Sequence, residues 1–194
     1  MAYQPKILAF AGSLRADSLN KKLIKIAAKG AEEAGAAVTL IDLKDYPLPL
    51  YDQEIEDKQG LPDNAKKIKE LMWAHDGFLL SCPEYNSSIS GVLKNVIDWA
   101  SRNASNDEVY LSCFIDKVVT LMSASPGQLG GLRGLVHVRS IFGNINSLVL
   151  PKQKSISQAN SAFAEDGTLK DPKQQQEVLD LGKTLSNFLK SFKK

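Results

Sequence analysis

The stretch KILAFAGSLRADSLNKKLIKIAAKGAEEAG, residues 6–35, decides the fold. Lys6 to Ala11 opens it as a short continuous apolar run. From Leu19 onward Leu23, Ile26, Ala27, Ala31 and Ala34 recur at helical spacing, and Gly35 stands where the helix should stop. Between run and helix lies GSLRADSLN, residues 12–20, with Gly12 for a tight turn, Ser13, Ser18 and Asn20 as short hydrogen-bonding groups, and Arg15 as a guanidinium fork. A helix N-terminus at Ser18 adds unpaired N–H groups and a partial positive charge. Such a loop suits a phosphomonoester held by charge-assisted bonds without a metal. By itself it also reads as a plain N-cap with a solvated arginine. The patterns G-x-x-x-x-G-K-[ST] and G-x-G-x-x-G are absent, which argues against a nucleoside triphosphate or a Rossmann-bound dinucleotide.

Outward from this unit the same alternation repeats. Val38 to Ile41 predicts a second strand, and residues 43–61 form a long loop rich in proline and acid. A helix resumes near Pro62 with Ile68, Leu71 and Met72 on its apolar face, and Gly77 to Cys82 is a third strand followed by the loop Pro83 to Ser90. Gly91 to Ser101 is the next helix, Lys117 to Ser123 a fourth strand, Gly131 to Phe142 a helix and Ile145 to Leu150 a fifth strand. Asp171 and Pro172 cap a last helix with Val178, Leu181, Leu185, Leu189 and Phe192 inward. Continuous apolar strands alternating with helices are the pattern of a parallel sheet covered on both faces. The expected class is therefore α/β, one doubly wound five-stranded parallel sheet of order 2-1-3-4-5, with residues 1–194 as a single domain. In that order the ligand crevice opens where strands 1 and 3 part. The loops after those strands, GSLRADSLN and PEYNSSISG, are the two most unusual stretches of the chain.

Composition narrows the class of partner. The chain has 194 residues, 43% hydrophobic and 24% charged, with a net charge of +2 spread along its length except for Lys190, Lys193 and Lys194, read as a solvated basic end. Neither nucleic acid nor an anionic membrane is implied. No apolar run reaches a membrane span and the first residues lack a signal-peptide pattern, so a cytoplasmic location is expected. Cys82 and Cys113 are too few and too far apart for a disulfide framework or a metal site, and are read as buried free thiols.

In the second loop Pro83 stiffens the exit from strand 3, Tyr85 offers a ring to stack on, and Glu84 and Asn86 bring polar groups to the same crevice. The third, SASPGQLGG at residues 123–131, adds a small Ser- and Gly-rich wall. A planar heteroaromatic ring needs a face to stack on and polar partners for its rim. Phosphate cradle, stacking platform and small wall together describe a mononucleotide, and flavin mononucleotide (FMN) fits best. Lys94, Asp98 and Arg102 share one helical face, which alone reads as a solvated salt-bridge ladder. His75 and His137 are given surface or packing roles, and Trp73 and Trp99 are expected to pack on the sheet.

GSLRADSLN, DLKDYPLPLYDQE at 42–54, PEYNSSISGVLKNVIDWAS at 83–101 and SASPGQLGGLR at 123–133 together resemble the NADPH-dependent FMN reductase family, over most of the chain to about Leu150. The resemblance implies a flavodoxin-like fold and an oxidoreductase that passes electrons from NADPH through FMN to a small-molecule acceptor, by ping-pong exchange. Quinones, azo dyes, metal oxyanions such as chromate and free flavin are the acceptor classes it suggests. It places the FMN phosphate at Ser13, Arg15, Ser18 and Asn20, and the ring against Pro83, Glu84, Tyr85 and Asn86, with Ser123, Ser125 and Gly127 nearby. It also implies a homodimer or homotetramer whose interface includes the helix from Gly91 to Arg102, with Arg102 near the partner's site and, like Tyr85, a candidate contact for NADPH or substrate. No catalytic side chain is implied, because the chemistry resides on the flavin. Ser90 departs from the family's usual proline before Gly91, a change expected to loosen the turn. A flavodoxin-like electron carrier or an FMN-binding module without turnover is the competing reading, though the acidic patches expected of a carrier are missing.

Overall fold

The elements run, in chain order, β1 (Lys6–Ala11), α1 (Leu19–Glu33), β2 (Ala37–Leu40), a 3-10 turn (Leu43–Asp45), α2 (Gln53–Gln59), α3 (Asp63–Ala74), β3 (Gly77–Ser81), β4 (Glu84–Tyr85) and β5 (Ser88–Ile89). They continue with α4 (Gly91–Ala100), β6 (Val118–Ala124), α5 (Leu132–Asn144), β7 (Leu148–Ile156), α6 (Ala159–Ala162) and α7 (Pro172–Phe192). This is a computed structural model that describes residues 3–192, so Lys193 and Lys194 lie outside the described residues. The main sheet has the order β2-β1-β3-β6-β7 and every pairing in it is parallel. Setting aside the short hairpin β4-β5, which lies outside that sheet, this is the order 2-1-3-4-5 that the sequence predicts.

The continuous apolar strands have the expected cause. Ile7, Ala9 and Ala11 of β1 face one core together with Leu79, Val118 and Met122, under α1 and α7. Leu8 and Phe10 face the other with Phe78, Leu80, Val119 and Leu121, under α3, α4 and α5. A strand covered on both sides cannot alternate polar and apolar residues. Helices α1 and α7 approach to near backbone contact: a Cβ on Gly30 would stand 2.0 Å from the Leu179 carbonyl oxygen, and one on Gly182 would stand 1.9 Å from that of Ala27.

Several expectations need correction. The acidic loop at 43–61 holds α2, whose Asp52 accepts from the Glu54 N–H and whose Glu54, Glu56 and Lys58 complement the helix dipole. With no buried residue it carries no apolar period to read. The fifth strand begins at Leu148, because Asn146 adopts φ 65° in the turn before it, and it runs to Ile156 through Pro151. Proline is tolerated there because β7 is an edge strand with a register shift opposite Val119 and Leu121. Phe192 is 52% exposed and stacks on Phe188 instead of facing inward. Lys190 is no solvated tail residue: its ammonium caps the Ala34 carbonyl at 2.6 Å, a cation on the C-terminal end of α1. Trp99 is fully buried but away from the sheet, in a small cluster with Leu61 and Ala65 and edge-on to Tyr51. Trp73 is partly exposed and donates its indole N–H to Ser112 at 2.9 Å. Asp171 does cap α7, accepting from Lys173 N–H at 2.9 Å.

Candidate functional site

The loops after β1, β3 and β6 leave the sheet at the carboxyl ends of its central strands. Ser13 and Ser18 are both buried in the first, and Ser18 is the N-cap of α1 without a side-chain capping bond, so its hydroxyl is not committed to the helix. The Ser13 hydroxyl accepts from the Arg15 N–H at 3.3 Å. The Arg15 side chain is exposed and makes no ion pair among the described residues. Asp17, the acid of this loop, is exposed and paired with Lys22 at 2.6 Å, which with its hydrogen bond holds the carboxyl below its ordinary value.

Asn20 is buried and its amide is spent on the protein. Its Nδ2 donates to the Ala124 carbonyl at 2.9 Å, while Oδ1 accepts from the Ser81 hydroxyl at 2.9 Å and the Ala124 N–H at 3.0 Å. One side chain thereby fixes the start of α1 against the ends of β3 and β6. Ser90 acts similarly. Its hydroxyl donates to the Gly12 carbonyl at 2.7 Å and accepts from the Leu93 N–H at 3.4 Å, so the serine caps α4 and ties down the first loop where a loosened turn was expected. Gly12 is wedged there, since a Cβ would meet that of Leu93 at 2.9 Å.

The second loop folds as the hairpin β4-β5, with Tyr85 opposite Ser88 and positive φ at both intervening residues, Asn86 at 50° and Ser87 at 65°. That is the geometry of a two-residue hairpin turn matched to strand twist. It presents the Tyr85 ring 52% exposed. Glu84 points away from solvent: its carboxylate accepts from Arg133 at 2.7 and 3.1 Å and from the Gly134 N–H at 3.0 Å. Burial opposes ionisation, but these bonds outweigh it and hold the carboxyl below the ordinary glutamate value. Glu84 thus anchors the first turn of α5 to the hairpin.

A cleft of about 80 Å³ joins the loops. Its wall includes Ser13, Arg15, Ser18 and Asn20 from the first loop, Pro83, Glu84 and Tyr85 from the second, and Ser125 with Pro126 from the third. Asn86, Ser123 and Gly127 are not part of that wall. Asn86 is at the hairpin tip, and Gly127 is exposed with its N–H on the Ser125 hydroxyl at 3.2 Å. Ser123 is fully buried, its hydroxyl unpartnered and 1.9 Å from where a Cβ on Gly131 would stand, at φ +92°. Arg102 is also off the cleft. The Lys94–Asp98 pair forms at 2.6 Å, but α4 ends at Ala100, and Arg102 leaves the ladder to lie over the Tyr51 ring, 5.7 Å from its centroid.

The two histidines and two cysteines make their contacts within the fold. His75 is buried with its ring nitrogens on the Leu71 carbonyl at 2.6 Å and the Thr39 hydroxyl at 2.7 Å, and His137 is exposed and bonded to Ser88 at 2.8 Å. Cys82 and Cys113 are buried free thiols, and burial pushes both well above the usual thiol range. Among the described residues no helix is long and apolar enough to cross a membrane.

Two buried hydroxyls, an exposed guanidinium and a long helix's N-terminus suit a phosphate, and the one carboxylate on the wall is already neutralised by Arg133. An exposed aromatic ring beside them suits a planar heterocycle, so the chemistry of these residues fits FMN, of which a cleft of about 80 Å³ seats only a part. The model of the NADPH-dependent FMN reductase family matches residues 5–161. The chain is 34% identical over 188 residues to a probable NADPH:quinone oxidoreductase of Oryza sativa subsp. japonica, covering 94% of this chain and 88% of the rice protein. It is 35% identical over 170 residues to an NAD(P)H-dependent FMN reductase of Pseudomonas aeruginosa, covering 87% of this chain and 86% of that one. In fold it is similar to the flavoenzyme NAD(P)H:(acceptor) oxidoreductase of Paracoccus denitrificans, with a TM-score of 0.77 at 24% identity over 96% of this chain and 98% of that one. The chain belongs to the NADPH-dependent FMN reductase family, enzymes that work with FMN and NADPH.

Proposed function

We propose that this chain is an NAD(P)H-dependent reductase that holds FMN in the cleft between Ser13 and Ser125 and passes electrons to small oxidised acceptors, quinones foremost, by ping-pong exchange. The observation that carries the reading is the convergence on one cleft of the Ser13, Arg15 and Ser18 donors and the exposed Tyr85 ring. When bound, FMN supplies a two-electron centre that takes hydride from NAD(P)H and returns it to the acceptor. The chain's own residues bind and orient. Arg15 and the two serines hold the phosphate, the hairpin and Pro83 set the plane of the ring, and Asn20 and Glu84 hold the loops at fixed separation. An exposed Tyr85 leaves the ring's outer face open to two ligands in turn. Homo-oligomerisation belongs to the same reading: Leu50 is 79% exposed beside Tyr51, and Val109 and Tyr110 are exposed after Glu108, on segments flanking Arg102.

The purified protein is expected to be yellow or to take up one FMN, and to lose its flavin absorbance when NADPH is added without oxygen. A protein indifferent to FMN sinks the reading. One that binds FMN but keeps its colour with NADPH is a carrier instead.

A further inference from the structure

We propose that Ser90, which lies off the cleft wall, is a positioning residue for the phosphate-binding loop: its hydroxyl supplies a hydrogen bond that Pro83 cannot make, and so fixes Gly12 and the donors that follow it. The inference rests on the proposed flavin site for its ligand and not for the bond itself.

The need for that bond comes from the sheet. β1 and β3 pair in parallel with Ala11 opposite Ser81, and the Gly12 N–H carries the ladder one step on, donating to the Ser81 carbonyl at 2.9 Å. In a parallel ladder the Gly12 carbonyl would next accept from the N–H of residue 83. That residue is Pro83, which has no N–H. A buried carbonyl without a donor is costly. Gly12 is buried, and the Ser90 hydroxyl, on a residue 1% exposed, serves its carbonyl instead at 2.7 Å. Because the peptide is planar, holding the Gly12 carbonyl also orients the Ser13 N–H, which donates to the Ala11 carbonyl at 2.8 Å. The Ser13 hydroxyl in turn accepts from the Arg15 N–H at 3.3 Å. Successive bonds thus run from Ser90 to the residue whose guanidinium is assigned the phosphate. Packing closes the same joint: a Cβ on Gly12 would stand 2.9 Å from that of Leu93 and 3.2 Å from the Ser90 hydroxyl, so the start of the loop is pressed onto the first turn of α4.

Ser90 is also the N-cap of α4, so a helix cap and a tie to the loop have to be told apart. Ser90→Pro suits the backbone, whose φ is −67° there, and Ser90→Gly costs a helix cap little; both lack the hydroxyl. FMN and riboflavin are titrated by flavin fluorescence into the wild type and both variants. Amide exchange of Gly12 and Ser13 in the ligand-free protein is compared with that of Lys94, which donates to the Ser90 carbonyl at 3.0 Å and reports on α4. Loss of one hydrogen bond is expected to weaken FMN about 3- to 10-fold and riboflavin by less than about twofold, with faster exchange at Gly12 and Ser13 and unchanged exchange at Lys94. A serine that only stabilises the fold would not change the ratio of the two affinities. Equal losses for both flavins overturn the inference, as do unchanged affinities or faster exchange confined to Lys94. A wild type that refuses FMN overturns the flavin reading instead, and exchange then decides the tie alone: faster exchange at Gly12 and Ser13 in both variants upholds it, and unchanged exchange overturns it.

Discussion

Arg15 is where the phosphate reading is most exposed to test. Its guanidinium is solvated and committed to no carboxylate, so it adds little to folding, yet it lies on the cleft wall beside Ser13 and Ser18. Arg15→Ala is expected to weaken FMN by about 10- to 150-fold, the equivalent of about 1.5–3 kcal/mol for a hydrogen bond to a charged group, and to leave riboflavin, which has no phosphate, nearly unchanged. Flavin fluorescence titrations compare the two directly, and equal losses would make Arg15 structural. Glu84 is tested by pH. Because its folded pKa lies below the ordinary 4.5, it contributes stability that is fully present above that value and is lost as pH falls through the lower folded value. The wild type should therefore lose more stability than Glu84→Gln between about pH 5 and about pH 3 in urea midpoints, whereas parallel curves would show that the pairing adds nothing. The grouping of Ser13, Arg15 and Ser18 on one wall is legible in the sequence because it is local to one loop. Asn20 and Glu84 are legible as polar groups near the crevice but not in their tasks, because their partners lie 104 and 49 residues away, a separation no local pattern encodes.

Between elements, the contact most sensitive to a single atom is that of α1 with α7. Helix propensity alone says Gly182→Ala should stabilise α7 by about 1 kcal/mol. The geometry says otherwise, because the added methyl group would fall 1.9 Å from the Ala27 carbonyl oxygen and 2.6 Å from the Ala31 nitrogen, and backbone cannot rotate away. A net loss of about 1–3 kcal/mol is expected, as for overpacking in a core. Gly143→Ala in α5 is the control, since nothing lies within 4 Å of where its Cβ would stand and propensity should act there unopposed. Chemical denaturation of the two variants should move their midpoints in opposite directions, and a stabilised Gly182→Ala would mean the helices separate freely. The same logic explains which elements the sequence disclosed. Those that bury a face, β1, α1, β3, α4 and β6, announce themselves by apolar period. Helix α2 buries nothing and is held by capping and dipole, so no apolar period discloses it, while the fifth strand is disclosed only as far as Leu150, because β7 continues through a proline that only an edge strand tolerates.

Over the whole molecule the parallel order brings the chemically unusual loops to one end of the sheet, which is why strand order and crevice could be read from the chain before any side-chain contact. Arg102 is the residue that a single chain leaves without a task. Lys69, itself buried, donates to the Arg102 carbonyl and pairs with Glu108, while the guanidinium rests over Tyr51. Such a staple ties Arg102 to Tyr51 and, through Lys69, to Glu108, whose chain neighbours Leu50, Val109 and Tyr110 are exposed and are the side chains we propose to meet another copy. Sedimentation should show an oligomer at micromolar concentration, and Leu50→Asp with Tyr110→Asp should shift it towards monomer. If Arg102 then reaches a neighbouring copy's cleft, Arg102→Ala will keep its fold and its flavin colour but raise KM for NADPH or an anionic acceptor, the pattern of lost uniform binding. A neutral quinone separates these, since its KM should stay unchanged when only the acceptor's charge is read. If Arg102 serves packing alone, the variant will lose about 0.5–2 kcal/mol, as for a half-buried cation–π contact, and leave every kinetic constant in place. Constants unchanged for NADPH and both acceptors, in a variant that still sediments as an oligomer, would return Arg102 to its contact with Tyr51.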